Sequence, residues 1–463
     1  MLSTFSTAMS LLLLATGGYF TLASGFFQFT HIGSIIKNTL GGLFSGKREH
    51  KKGTLTPYQA LATALGGSIG TANIAGVGGA IMIGGPGAIF WMWVSGFLGM
   101  MTKFAEIVLA MRYRSKNDRG EWSGGAMQYM VKGMGAQYKP LASAFALFCV
   151  LAAFCGGGMV QSNTIAESVL TACETIPGLY YNDNTVRIII GAVLAVLCAV
   201  VIFGGLNRIG RAASMLVPFA GAMYVIAAVW VIAANVEGLG EAFKSIFEGA
   251  FGGFRPAAGG VAGFALARTM RVGVARGVFS NEAGVGSAPM AHASSNSNDP
   301  VKQGMFGIIE VFTDTILICT LTALAMLCSG VEIAYGSVSV SGMELARHTF
   351  ATIMPDSMAG LFLSVSIFLF AFTSIIGWSL YGSRCAEFLF GSRGLLPYRL
   401  ILAACVGAGT LIPIDMVWEL GELFNLLMAA CNIIALLALS ELVVRSTKFY
   451  GQIGRRWTFG WNK

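Results

Sequence analysis

The sequence predicts an all-α protein that crosses a bilayer about eleven times, on the length one span requires. Three observations lead there. Of 463 residues 55% are hydrophobic and 11% charged, with a mean hydropathy of +0.70, whereas a soluble domain carries roughly 25% charged residues. Lys and Arg crowd alternate connections between the apolar stretches. Two apolar stretches are riddled with glycine at places related by inversion.

Apolar stretches long enough to span run roughly 7–32, 57–82, 87–111, 140–171, 185–204, 212–235, 246–270, 304–329, 358–383, 397–414 and 417–442. The first has no Lys or Arg before Lys37, so it reads as a retained helix rather than a cleaved signal, whose n-region is basic. The seventh is interrupted by Arg255 and Pro256. With the N-terminus outside, the inner connections collect all but five of the 30 Lys and Arg: Arg187, Lys244, Arg255 and Arg347 fall outside, and Lys103 lies within the third helix. Arg268, Arg271 and Arg276 count among the inner residues. Basic residues stay on the cytoplasmic side, so the N-terminus is placed outside and the C-terminus in the cytoplasm, in what reads as a bacterial inner membrane.

Composition also excludes. The net charge of +8 reports orientation and not a nucleic-acid partner. Nine cysteines without a CxxC pair and four dispersed histidines give no disulfide framework or zinc site. No GxxxxGK[ST] occurs, so ATP is not the energy source. A membrane-embedded hydrolase would need a nucleophile–His–acid set or HExxH, and neither is visible; the chain reads as no enzyme. A channel is the other alternative, and two broken segments suit an occluded site better than a continuous pore.

The chain is organised around 56–93, where Gly66, Gly67, Gly70, Gly76, Gly78 and Gly79 interrupt an apolar run. Each glycine costs roughly 1 kcal/mol against alanine in a helix interior, and unwound backbone at membrane depth needs partners other than lipid. A Gly-interrupted hydrophobic segment echoed in the other half points to a transport site. The echo is GAFGGFRPAAGGVAGF, 249–264. The alternative for both is close helix packing through small residues. An inverted repeat then divides the chain into 57–236 and 246–442, after an extra helix and connection (1–56) and before a basic cytoplasmic tail (443–463).

GTANIAGV (70–77), GGPGAIFWMWVSGFLGM (84–100) and RGVFSNEAGVGSAPMAHA (276–293) resemble the alanine or glycine:cation symporter family, the sodium:alanine symporters. GGGMVQSN (156–163), FGGLNRIG (203–210), VFTDTILICTLTAL (311–324) and FAFTSIIGW (370–378) also look like it, in order along nearly the whole chain. The resemblance implies a 5+5 inverted repeat of the leucine-transporter type preceded by one extra helix. It implies uptake of a small neutral amino acid, alanine or glycine, with Na⁺ or in some members H⁺ as coupling ion. No organic cofactor and no obligatory protein partner are implied. Ala72, Glu422 and Cys431 depart from the family's usual Gly, Asp and Pro, which bears on substrate preference.

For the substrate, Thr71, Ala72 and Asn73 sit at the unwinding point, with a helix–helix hydrogen bond as the alternative for Asn73. Gln161, beside Asn163 in an apolar helix, has substrate and a neighbouring helix as competing partners; Phe154 is read on the same side. Gly260 and Gly263 offer carbonyls to the ammonium. Trp378 caps the pocket or anchors the interface. By fold analogy Na⁺ lies between Thr373, Ser374 and carbonyls near Gly67, Gly70 and Asn73; hydroxyls bonding back to their own helix are the alternative. Glu310 and Asp314 share a helix face, with pairing to Arg276 or Lys302 as the structural reading, and Lys103 pairs with Glu106. The FSNEAG run (279–284) reads as a cytoplasmic latch.

Overall fold

The computed structural model of the chain describes residues 2–43, 53–176, 178, 180–252, 266–336 and 342–453. In chain order its principal helices are α1 (Leu2–Ala23), α2 (Pro57–Ser68), α3 (Ala75–Gly84) and α4 (Ala88–Tyr113). Next come α5 (Ala136–Glu174), α6 (Asp183–Ile202), α7 (Gly205–Ala234), α8 (Leu239–Gly252) and α9 (Leu266–Asn281). The rest are α10 (Pro289–Ala293), α11 (Pro300–Cys328), α12 (Gly342–Ala351), α13 (Asp356–Phe390), α14 (Leu395–Gly409), α15 (Ile414–Ala438) and α16 (Ser440–Ile453). A two-stranded hairpin, Ser115–Lys116 with Trp122–Ser123, follows α4.

Among the described residues eight helices are long and apolar enough to cross a membrane: α1, α4, α5, α6, α7, α11, α13 and α15. The predicted span 57–82 is not a single helix but is divided into α2 and α3. Of 246–270, only the ends, in α8 and α9, fall among the described residues. The sheath and the core differ in what they expose. Val193, Val196 and Val200 on α6 and Phe219 and Ile226 on α7 turn outward as apolar surface for lipid. By contrast α13 is buried through most of its length from Leu363 to Ala386, because α2, α5 and α7 pack around it.

The first break has a legible cause. Thr56 opens α2 with a reciprocal cap, its hydroxyl accepting from Gln59 N (3.1 Å) while Gln59 Oε1 accepts from Thr56 N (3.0 Å). The helix ends at Ser68, Gly70 is extended, and Thr71–Asn73 make one tight turn before α3 begins. Asn73 Oδ1 accepts from Gly70 N (2.9 Å), so the side chain takes over a donor that the broken helix leaves open.

The described break in the second half is not at 249–264, most of which lies outside the described residues together with Gly260 and Gly263. It follows Asn281, at the end of α9. Glu282 has φ 53, Gly284 φ 91 and Gly286 φ 86, and α10 starts at Pro289. The FSNEAG run is therefore buried and broken helix, not a cytoplasmic loop. A second expectation changes with it. Arg268 and Arg271 line cavities with Thr7 and Ser10 of α1, so these arginines sit at the N-terminal end of α1 rather than on the opposite face.

Glycine serves close packing as well. A Cβ on Gly273 of α9 would stand 2.2 Å from the Ala88 carbonyl oxygen of α4. Gly273→Ala is expected to cost about 1–3 kcal/mol and to lower the melting temperature of the detergent-purified protein. Gly240→Ala, at a position open for 4 Å around, should leave it unchanged.

Candidate functional site at the meeting of two broken helices

Four irregular stretches converge at the centre. Two are the helix breaks, and two are π-helical turns, Cys155–Val160 within α5 and Phe312–Cys319 within α11. Such turns recur at functional sites because they re-aim the side chains that follow. The first hands Gln161 to the centre. The second carries Asp314.

Asp314 is wholly buried and ties the two breaks together. Its Oδ1 accepts from Asn73 Nδ2 (2.8 Å), and its Oδ2 accepts from Ser280 Oγ and Thr315 Oγ1 (2.8 Å each). Asn281 Nδ2 continues the network to Thr315 Oγ1 (3.1 Å). Asn73 thus bonds helix to helix through its amide and to its own break through its oxygen. Asp314 pairs with neither Arg276 nor Lys302.

Beside this hub lies a small cavity of about 20 Å³ lined by Gly67, Gly70, Thr71, Ala72, Gly156, Gln161, Phe279, Glu282, Ser374, Trp378 and Asn425. It has room for about one water. Three lining atoms, Thr71 Oγ1, Gln161 Oε1 and Asn425 Oδ1, are buried without a hydrogen-bond partner. An unmet buried polar group costs about 1–3 kcal/mol, so the lining is poised for a polar ligand. Gln161 Nε2 donates to Gly156 O (3.2 Å), leaving Oε1 toward Gly70.

Trp378 forms one wall. Its Nε1 donates to Glu282 Oε1 (3.0 Å), and Glu282 Oε2 accepts from Ser287 Oγ (2.6 Å). Glu282 is a non-glycine residue in left-handed conformation, a strained geometry that clusters at functional sites. Ser374 Oγ donates to Gly67 O (2.9 Å). That contact depends on a glycine pair, since a Cβ on Gly377 would lie 2.8 Å from Gly67 Cα. Thr373 instead donates to Phe370 O in its own helix (2.9 Å).

Other residues fall elsewhere. Asn163 Nδ2 donates to the Gly409 and Ile412 carbonyls (2.8 and 2.7 Å), which joins α5 to the end of α14, and Asn163 does not line the cavity. Phe154 stacks on Tyr398, with ring centroids 5.4 Å apart, and is not in the cavity wall. Glu310 pairs with Lys103 (3.1 Å) and His292 (3.1 Å), all three fully buried. Lys103 also donates to Glu282 O (3.3 Å), while Glu106 accepts from Asn432 Nδ2 (2.6 Å), so Lys103 and Glu106 are not a simple pair. Phe279 and Asn425 escaped the sequence reading, as did the position of Glu282 in the wall. For Glu282 a signal was present: a carboxylate among closely spaced glycines in a second apolar hallmark run.

Long apolar helices around a polar centre, where two interrupted helices meet, define a multi-pass membrane protein. A family model described as "Sodium:alanine symporter family" matches residues 2–456, and the chain belongs to that family. The "Sodium/alanine symporter AgcS" of Methanococcus maripaludis is 40% identical over 449 residues, covering 96% of this chain and 94% of its own. The "Probable sodium/glutamine symporter GlnT" of Bacillus subtilis is 36% identical over 450 residues, covering 96% and 88%. The chain is also similar to the solved nucleobase-cation-symport-1 family transporter MHP1 in a closed conformation with bromovinylhydantoin bound. There the TM-score is 0.48 at 15% identity, over 88% of this chain and 82% of that one.

The buried ion pair is open to a direct check. Lys103→Met leaves Glu310 without its ammonium, and breaking one side of a buried pair costs about 3–5 kcal/mol. Chemical or thermal unfolding should show that loss, and Lys103→Met/Glu310→Gln should recover much of it.

Proposed function

We propose that this protein is a secondary symporter that couples inward Na⁺ flux to uptake of a small neutral amino acid, alanine or glycine. The observation that carries the reading is the cavity lining: unpartnered Thr71 Oγ1 and Gln161 Oε1 beside the unwound turn at Gly70–Asn73. A zwitterion needs a donor for its carboxylate and an acceptor for its ammonium. Thr71 supplies the first and Gln161 the second. Trp378, held by Glu282, limits the side chain, so that the cavity, once opened, favours the smallest amino acids. Asn73 acts through Asp314 rather than on substrate, and Ala72 contributes backbone.

Na⁺ prefers oxygen ligands. The Gly67 carbonyl and Ser374 hydroxyl already meet, and Thr373 with the Gly70 and Asn73 carbonyls completes the proposed set. Binding there holds α2 against α13 and so shapes the neighbouring substrate site. Ion and substrate then raise each other's affinity equally, as linkage requires. Counting α2 with α3, and α9 with α10, as single broken passages, and the shorter α14 as one more, gives eleven crossings with the eight long helices. Each break then opens its half of a 5+5 inverted repeat, and movement of one half against the other alternates access. The basic residues of the remaining connections support an N-terminus outside.

The test is uptake of labelled alanine and glycine into proteoliposomes under an imposed Na⁺ gradient. Accumulation should follow the gradient and fall by about tenfold or more in Ser374→Ala, the effect of losing about 1.4 kcal/mol. A second reading, H⁺ as coupling ion, draws on the buried carboxylates Glu106, Glu282, Glu310 and Asp314 set around one ammonium, Lys103. Uptake driven by a pH gradient without Na⁺ would select it.

A further inference from the structure

A second cavity, of about 420 Å³, opens between α1, α9 and α15. It lies beyond the central one and shares Phe279, Glu282 and Asn425 with it as a common wall. Amino acids fit in a volume of this size, whereas the central cavity in this state holds none. We propose that this vestibule is a second amino-acid site, which takes the zwitterion's carboxylate on Arg276 and its ammonium on Glu422. The proposal rests on the symporter reading above.

The charges carry it. Among the described residues Arg276 makes neither a hydrogen bond nor an ion pair; its guanidinium lies 5.8 Å from the centroid of the Trp418 ring. Glu422, in the same lining, receives a single hydrogen bond, from Ser6 Oγ to its Oε1 (2.8 Å). The other charged groups of the lining are Arg271, Glu282 and Glu419. A simple anion would gain the arginines and meet the glutamates, and a simple cation the reverse. A zwitterion satisfies both signs at once, through charge-assisted hydrogen bonds at each end. Phe279 and Trp418, with ring centroids 5.3 Å apart, give its side chain an apolar rest.

The arrangement also gives α1 a task. Its Ser6, Thr7 and Ser10 form one side of the vestibule, so the extra helix completes a site that α9 and α15 would leave open. Asn425, whose Oδ1 has no partner, stands between the two cavities and offers the ammonium an acceptor on the way through.

The experiment is equilibrium binding of labelled alanine, glycine and glutamine to the purified protein in Na⁺. Two molecules per chain are expected for the wild type. Arg276→Gln and Glu422→Gln should each leave one, still dependent on Na⁺, and that retained site shows the variants are folded. Ser374→Ala should remove the other and spare the vestibule. One molecule per wild-type chain, or two in both vestibule variants, would overturn the proposal while leaving the symporter reading standing. Binding of none of the three amino acids would overturn both.

Discussion

Asp314 lies out of reach of water, and its hydrogen bonds run to Asn73 in the first helix break, to Ser280 at the edge of the second, and to Thr315 beside it. A buried carboxylate without such donors is very costly, so the positions of all three partners are constrained together. Asn73 in turn holds Gly70 N, which fixes the turn that separates α2 from α3. Without this hub the two breaks would be independent loops. With it they face each other across one small polar cavity, and the geometry of the candidate site follows.

The cavity is closed by the same economy of contacts. Trp378 reaches from α13 to Glu282, and Glu282 is steadied by Ser287. Glu282 pays for its place with an unfavourable backbone conformation. A wall built from one carboxylate, one amide and one aromatic ring, Glu282, Asn425 and Phe279, separates about 20 Å³ from about 420 Å³. Thin partitions of this kind suit a protein that must pass a ligand from one compartment to the next.

Two kinds of helix contact coexist around that partition. Lys103, Glu310 and His292 join α4, α11 and α10 through buried charge, and Glu106 reaches α15 through Asn432. Such contacts demand fixed geometry, because a displaced partner leaves a bare charge in low dielectric. The contact of α2 with α13 is different. It passes over Gly67 and Gly377 with a single hydrogen bond from Ser374, and smooth surfaces of small residues allow packed helices to shift past each other. The polar block and the glycine seam divide rigidity and movement between them.

The sequence by itself determined the membrane character, most of the long helices and the first break. Hydropathy is summed over about 20 residues, and a run of glycines is local, so neither needs tertiary contacts to be read. It also singled out Thr71, Gln161, Ser374 and Trp378, which the fold brings to one cavity. Only the tertiary structure decided the rest. A break in the second half lies at Glu282–Gly286, where Trp378 and Lys103 from distant helices hold the side chain and carbonyl of Glu282. The partner of Glu310 is Lys103, some two hundred residues away in the chain, and local spacing carries no trace of it. The arginines of α9 share a side with the N-terminus, since a helix that breaks at its buried end reverses which loop they belong to. Pairing across helices is a property of packing, and packing is not written in any one segment.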